Sequence, residues 1–284
     1  MINREGGRGR SYDRRMAIEP GLGGVPETAL WTLWFRSVEA RRDDAVLSDP
    51  LAIEVVEKLD YPFAERFGQL YPAHGQIQAL RVRTFDREVQ RFLARHPEGT
   101  VVALGEGLET QFWRVDNGSV RWLTVDLPES IDLRRTLMPT NERLREFPGS
   151  ALDPAWMDEV DAGNGVLITA QGLLMYLQPD EVRNLIAMCA KRFPGGAMVF
   201  DAVPPWMAGV VRRGTPGYRP PPLQWTLTPK QIPELAAMDP AIAEVRDLKP
   251  PRGRGFIGWL APNLRYIPVM RRSRPMIVRL TFKQ

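Results

Sequence analysis

Residues 101–110, VVALGEGLET, combine the pattern of a buried strand with a Gly-x-Gly turn. The apolar run TVVAL (100–104) predicts a strand, and a glycine-rich turn directly after a strand is where doubly wound α/β sheets bind nucleotides. A full dinucleotide motif carries a third glycine, and that position here is Thr110. The turn also carries Glu106 and Glu109, and two acids would repel a pyrophosphate. The stretch therefore predicts an α/β fold and favours a nucleoside ligand without phosphates.

An acidic residue at the end of the next predicted strand supports a ribose site. Asp126 lies nineteen residues after Gly107, near the end of RWLTVDL (121–127). A carboxylate there can accept hydrogen bonds from both ribose hydroxyls. S-adenosylmethionine fits these features, because it has an adenosine, a cationic sulfonium and an amino-acid tail. The alternative for the two glutamates is that they cap a helix, where the helix dipole favours acids.

Strand and helix patterns alternate through the middle of the chain, which is typical of a parallel sheet covered by helices on both faces. The segment 204–222 is rich in proline and glycine and is predicted to be irregular. The predicted strands are 100–104, 121–127, 165–170, 196–203 and 275–282. The predicted helices are a first one from Glu27 onward, a second starting at Ser48-Asp49-Pro50, and then 76–95, 131–147, 179–193 and 227–238.

The composition narrows the class of protein. The chain has 284 residues, is 44% hydrophobic and carries a net charge of +4. One cysteine, Cys189, excludes an intramolecular disulfide, and with only two histidines we expect no metal site. No apolar run of about eighteen residues and no signal-peptide core are found, so we expect a cytoplasmic protein without membrane contact.

Several stretches together resemble one family. The chain is similar, from roughly Glu27 to Phe282, to the leucine carboxyl methyltransferase family of class I S-adenosylmethionine-dependent methyltransferases, especially its bacterial polyketide O-methyltransferase branch. The resemblance implies a Rossmann-like α/β sheet of seven strands, mostly parallel with the last antiparallel, and a helical lid. The matching stretches are ETALWTLWFRSVEARRDDAVLSDPLA, LRVRTFD, VVALGEGLETQFWRVD, VDLPESIDLRR, SALDPAWMDEV and LITAQGLLMYL.

The resemblance also implies a division of the single catalytic domain. We hypothesise that the N-terminal segment folds over bound ligands and excludes water, and that Arg14 or Arg15 orients an anionic acceptor. The regions are a flexible segment (1–25), a helical lid with the cofactor-carboxylate segment (26–95), the Rossmann-like cofactor-binding core (96–203), and a lid insertion with the final strands (204–284).

Cofactor-binding residues follow from the family motifs. Arg81 is expected to pair with the cofactor carboxylate, with Arg83 as the second candidate, and Gln171 is expected to face the methionyl part. Leu152 is expected to pack on the adenine, whose amino partner is either Asp153 or a backbone group. The full predicted set is Arg81, Gly105, Gly107, Glu109, Asp126, Leu127, Ala151, Leu152, Asp153, Gln171 and Gly172.

The acceptor is less constrained by the sequence. Trp31, Trp34 and Tyr176 are candidates for its pocket, and simple packing is the alternative for each. The family branch suggests a small aromatic or polyketide-type carboxylate, which is ionised at pH 7 and needs no general base. A phenol would need a base, and no residue is placed to supply it.

Two other classes of function were weighed against methyl transfer. A nucleic-acid-binding protein could use the basic C-terminal region, but basic excess alone is weak evidence for that class. The missing third glycine and the two acids of the turn disfavour an NAD(P)-dependent oxidoreductase. We therefore expect a small-molecule acceptor and no nucleic acid, as a monomer or a homodimer.

Overall fold

The computed structural model of the chain describes residues 18–68, 72–214 and 216–284. The strands are β1 (Thr100–Leu104), β2 (Arg121–Asp126), β3 (Leu144–Pro148), β4 (Val166–Ala170), β5 (Ala197–Ala202), β6 (Ile242–Asp247) and β7 (Met276–Phe282). The α-helices are α1 (Thr28–Ala40), α2 (Pro50–Lys58), α3 (Phe63–Phe67), α4 (Pro72–Leu93), α5 (Gln111–Val115), α6 (Pro128–Leu137), α7 (Pro179–Arg192), α8 (Pro205–Val211) and α9 (Gly255–Asn263).

The seven strands form one sheet in the order β3-β2-β1-β4-β5-β7-β6. Strands β1 to β5 pair in parallel, and β7 runs antiparallel to both of its neighbours. The strand order reverses at β1, which lies between β2 and β4, so the crevice for a ligand lies at the carboxyl ends of these strands. The predicted seven-stranded sheet of a class I methyltransferase, with an antiparallel last strand, is confirmed.

The central strands are buried on both faces, as their continuous apolar runs predict. In β1, Val102 and Leu104 face one hydrophobic cluster, and Val101 and Ala103 face the other. Side chains alternate along a strand, so each face of the sheet receives half of them. Helix α7 covers the first face and brings Cys189 into that cluster, fully buried.

The helix predicted over 131–147 is wrong beyond Leu137. Helix α6 ends there, and the residues that follow a short turn form strand β3 against β2. The cause is Pro139, because the residue before a proline is pushed out of the helical region, and Met138 has φ −92° and ψ 149°. Helices α8 and α9 and strand β6 were not predicted, since the proline-rich and edge segments lack a clear periodicity.

The described start of the chain is tied to the body of the protein. The N–H of Ile18 donates to the carbonyl of Lys58 at 3.0 Å, and the N–H of Asp60 donates back to Ile18 at 2.9 Å. These two bonds hold Ile18 at the end of α2, and the flexible segment over 1–25 stays a prediction. The roles suggested for Arg14 and Arg15 lie outside the described residues. Among the described helices, none combines the length and apolarity needed to cross a bilayer.

Candidate functional site

The glycine turn after β1 lies under the first turn of α1. Gly105 and Gly107 have φ of 59° and 54°, a region that favours glycine. A Cβ atom on Gly107 would lie 2.7 Å from the Cβ of Ala29, and one on Gly105 would lie 2.9 Å from a methyl of Leu173. Both glycines are therefore needed for conformation and for space, and α1 closes over one side of the crevice.

Asp126 joins the end of β2 to this turn. One carboxylate oxygen accepts from the N–H of Gly107 at 2.6 Å, and the other accepts from the N–H of Leu127 at 2.7 Å. Burial raises the pKa of Asp126, and the two backbone donors lower it in part. The structure thus brings the predicted ribose acid to the glycine turn, while the side chain of Leu127 stays exposed.

Two buried arginines hold the backbone carbonyls of the turn. The guanidinium of Arg134 donates to the carbonyls of Gly107 at 2.6 Å and Glu109 at 3.0 Å. The guanidinium of Arg36 donates to the carbonyl of Leu108 at 2.6 Å. Three successive carbonyls of the turn therefore accept hydrogen bonds from buried arginines, and these bonds hold the turn in its conformation without a ligand.

The two acids of the turn are the counterions of these arginines. Glu109 pairs with Arg36 and, at 2.8 Å, with Arg114, and Glu106 lies 3.3 Å from Arg134. A buried guanidinium without a carboxylate is strongly destabilising, so each acid offsets a buried positive charge. The carboxylates thus point into the protein and not toward a ligand, and that of Glu109 also accepts from the N–H of Thr110 at 2.9 Å, directly before α5. Burial raises the pKa of Glu106, and Arg134 lowers it only in part.

The ionisation of Glu109 predicts a pH dependence of stability. Burial raises the pKa of this carboxyl, but the charges of Arg114 and Arg36 outweigh burial and hold the pKa at about 2, against 4.5 ordinarily. A carboxyl with a lower pKa in the folded state contributes stability above pH 4.5, and this contribution is lost as the pH falls toward 2. We expect protonation of Glu109 to lower the free energy of unfolding by about 3 kcal/mol between pH 4.5 and pH 2, as measured by urea unfolding. In the variant Glu109→Gln the free energy of unfolding should fall less steeply as the pH is lowered. An unchanged pH dependence would contradict the prediction.

Arg81 is held next to the loop that follows β4. Its Nε donates to Asp201 at 2.8 Å, and the other oxygen of Asp201 accepts from the N–H of Gly172 at 2.7 Å. Gly172 has φ 78°, and a Cβ atom there would lie 2.9 Å from the Nη2 of Arg81. Sequence reasoning missed Asp201, although an acid at the end of the buried strand AMVFDA was a usable signal. No site contact is found for Arg83 among the described residues.

Gln171 presents an unused acceptor in the same loop. Its amide nitrogen donates to Glu109 at 2.9 Å, which connects the loop after β4 to the glycine turn. Its carbonyl oxygen is buried and has no hydrogen-bond partner within the part of the chain that the structure describes. A buried acceptor in that state is uncommon, and its donor has to come from water or from a ligand.

The predicted adenine segment follows β3. Ala151 is buried, and Leu152 packs against the hydrophobic cluster that contains α7. The carboxylate of Asp153 accepts from the N–H of Ala155 at 3.0 Å and caps a short 3-10 helix, Pro154–Glu159. The cap uses one oxygen of this carboxylate, so the choice between Asp153 and a backbone group as the adenine partner stays open.

The three acceptor candidates do not lie together. Trp31 contacts the ring of Tyr218 edge-on at 6.1 Å between centroids, whereas Trp34 stacks on Phe63 at 5.3 Å within the helical layer. The hydroxyl of Tyr176 interacts with Thr28 at the start of α1, and burial raises its pKa. All three residues stay candidates for the acceptor side, and the buried indole N–H of Trp34 has no hydrogen-bond partner among the described residues.

The family comparison agrees with this geometry. The model of the leucine carboxyl methyltransferase family matches residues 29–190, which include the glycine turn, Asp126 and the loop after β4. The chain belongs to the leucine carboxyl methyltransferase family. Curated relatives are named methyltransferases, and several of them S-adenosylmethionine-dependent ones; this protein is an enzyme of that type.

Two curated relatives illustrate the match. The chain is 34% identical over 186 residues to the tetracenomycin polyketide synthesis O-methyltransferase TcmP of Streptomyces glaucescens, covering 65% of this chain and 68% of that protein. It is 30% identical over 201 residues to the S-adenosylmethionine-dependent methyltransferase dpfgK of Gibberella zeae, covering 64% of this chain and 67% of that protein.

The solved structures are less similar in sequence than these curated relatives. An O-methyltransferase family protein from Burkholderia thailandensis is 17% identical, with a TM-score of 0.44 over 91% of this chain and 70% of that one. Human N-acetylserotonin methyltransferase is 13% identical, with a TM-score of 0.47 over 89% of this chain and 67% of that one. The fold assignment rests on the strand order and the family match. In the described ranges no cluster of three or more His, Cys, Asp or Glu side chains is arranged to hold a metal ion.

Proposed function

We propose that the protein is an O-methyltransferase that transfers a methyl group to the carboxylate of a small aromatic or polyketide-type metabolite. The observation that carries the proposal is the crevice between the glycine turn and the loop after β4, with Arg81 braced by Asp201 and the free acceptor of Gln171. The name of TcmP, an O-methyltransferase of polyketide synthesis, supports the acceptor class.

The residues of the crevice fit the parts of S-adenosylmethionine, which when bound supplies an electrophilic methyl group. The guanidinium of Arg81 has donors beyond the Nε used by Asp201, and a planar fork suits a carboxylate. The carbonyl oxygen of Gln171 can accept from an ammonium. Asp126 has lone pairs beyond the two used by backbone donors and can accept from ribose hydroxyls.

The remaining predicted cofactor residues have indirect roles in this proposal. Glu109 positions the turn and Gln171 through its ion pairs and one hydrogen bond. Ala151 and Leu152, with the exposed Leu127, offer apolar surface to the base. The two glycines of the turn and Gly172 leave room for a ligand to approach the backbone.

The acceptor side favours a carboxylate over a phenol. Burial raises the pKa of Tyr176 and of Tyr218, so both hydroxyls stay neutral at pH 7 and neither is poised to remove a proton. A carboxylate acceptor is already ionised and needs only alignment and exclusion of water. The phenolic O-methyltransferase remains the second candidate on chemical grounds.

The proposed function is tested by product analysis. The protein is incubated with S-adenosylmethionine and matched pairs of aromatic acceptors that carry either a carboxyl or a hydroxyl group. We expect methyl esters, which alkali hydrolyses, from the carboxyl member of each pair. Alkali-stable methyl ethers as the only products would instead establish a phenolic enzyme.

The ribose role of Asp126 has its own test. We expect Asp126→Ala to weaken binding of S-adenosylhomocysteine by about 1.5–3 kcal/mol in calorimetry, because charge-assisted hydrogen bonds are lost. The matched control is Asp132→Ala, which removes an exposed carboxylate of α6. Equal affinity of both folded variants would show that Asp126 does not hold the ribose.

A further inference from the structure

The segments after β5 and after β6 carry positive charge without any negative charge. Residues 202–233 contain four Lys or Arg and no Asp or Glu, and residues 248–284 contain nine Lys or Arg and no Asp or Glu. These segments form α8, α9 and two 3-10 helices, Leu264–Tyr266 and Met270–Arg272. We call the outer surface of these four elements, together with the flanking residues Arg212, Arg213, Lys249, Arg252 and Val269, the lid face.

The lid face also exposes most of the large apolar side chains found at the surface. Helix α8 buries none of its residues, and Phe256 and Val269 are 69% and 72% exposed. Seven of the ten exposed large hydrophobic residues in the described ranges lie here: Trp206, Val210, Phe256, Trp259, Tyr266, Val269 and Met270. Exposed apolar groups concentrated in this way mark a binding surface.

Contacts between the elements make this surface continuous. The indole N–H of Trp206 donates to the carbonyl of Ser273 at 2.9 Å, which joins α8 to the second 3-10 helix. The Lys249 ammonium lies 5.2 Å from the ring centroid of Tyr266. Met276 starts β7 and pairs with Ala202 at the carboxyl end of β5. The 3-10 helix Met270–Arg272, which comes shortly before Met276, therefore borders the crevice.

Much of the positive charge of the lid face is not neutralised. No carboxylate in residues 18–68, 72–214 or 216–284 forms an ion pair with six of its cations. Between α4 and α9 a groove of about 530 Å³ adds Arg87 to this charge and has Trp259 in its wall, whereas Arg91 in the same groove pairs with Glu88. The lid-face cations without an ion pair are Arg212, Arg213, Lys249, Arg252, Arg271 and Arg272.

The side chains of the lid face indicate which class of partner binds to it. A second copy of the chain is disfavoured, because two lid faces would bring like charges together. Nucleic acid is disfavoured, because aliphatic groups such as Val210 and Val269 gain nothing from phosphates. An acidic protein would account for the basic groove between α4 and α9, but not for the exposed apolar side chains of Phe256 and Val269, which lie outside that groove. Projecting aromatic and aliphatic groups beside arginines match the interfacial region of a bilayer.

We propose that the lid face docks on a membrane surface that contains anionic lipids. In this arrangement Phe256 and Val269 enter the boundary between headgroups and acyl chains, and Arg271 and Arg272 contact lipid phosphates. The proposal departs from the expectation, based on the sequence, that no membrane is involved. It places the crevice next to the bilayer.

The test is sedimentation of the full-length protein with vesicles, either pure phosphatidylcholine or phosphatidylcholine with 30% phosphatidylglycerol, a proportion of roughly one anionic lipid in three. We expect binding to the anionic vesicles to be at least about tenfold stronger, and to weaken in high salt. The double variants Phe256→Ser with Val269→Ser, and Arg271→Gln with Arg272→Gln, should each bind on the order of tenfold more weakly.

The matched control is Arg145→Gln with Arg183→Gln, which removes the same charge from two arginines that are 62% and 61% exposed, on β3 and α7. The control should bind like the wild type. No binding to anionic vesicles, or equal losses in the control and the lid variants, would overturn the proposal. Loss only with the arginine pair, together with tight binding of duplex DNA, would assign the surface to nucleic acid instead. These outcomes do not depend on methyl transfer.

Discussion

Replacing Arg36 with methionine is expected to lower the free energy of unfolding by about 3–5 kcal/mol, the range found when one partner of a buried ion pair is removed. The guanidinium is 1% exposed and serves Asp49, Glu109 and the carbonyl of Leu108. Its loss leaves two buried carboxylates with less compensation and a carbonyl without a donor. Urea unfolding at pH 7 measures the change.

A matched control tests whether the loss of stability in Arg36→Met comes from the burial of its ion pairs. Arg41 also pairs with a carboxylate, Glu57, but both side chains are largely exposed, so Arg41→Met should cost no more than about 1 kcal/mol. The double variant Arg36→Met with Glu109→Gln should recover part of the loss, because the uncompensated charge is then removed. A loss below about 1 kcal/mol for Arg36→Met would show that the cluster is not important for stability.

The second large effect concerns the cofactor. We expect Arg81→Met to weaken S-adenosylhomocysteine binding by about 2–5 kcal/mol, because a charged partner of the ligand carboxylate is lost in a partly buried site. Calorimetry measures the affinity, and thermal unfolding confirms that the variant folds. The loss should fall mainly on affinity, since the core contacts of α4 are made by other side chains.

Arg83→Met is the control, because Arg83 lies two residues further along the same helix and was the second candidate for this role. Its affinity should stay close to that of the wild type. The affinity of Asp201→Asn should lie between those of Arg81→Met and Arg83→Met. The reason is that an amide nitrogen that faces the N–H of Gly172 cannot accept a hydrogen bond from it. A larger effect of Arg83→Met than of Arg81→Met would reverse the assignment.

The core of the fold could be predicted from the sequence, because its strands are buried on both faces. Continuous apolar runs such as TVVAL and VLITA have few other stable arrangements. The prediction failed at the edges of the sheet, where β3 and β6 are partly exposed and their apolar pattern is weak. The family motifs also pointed to the glycine turn and to Asp126, which lie together because β1 and β2 pair in parallel.

The sequence by itself determined the sheet, the position of the crevice and the family, since these depend on local patterns and on motifs of contiguous residues. Only the tertiary structure decided what the acids of the turn do. Their partners Arg36, Arg114 and Arg134 come from three different helices, and residue type cannot tell a buried arginine from a solvated one. The same holds for Asp201, which meets Arg81 across 120 residues of chain. Such pairs form because packing removes these charges from water, and the sequence alone does not specify which charges those are.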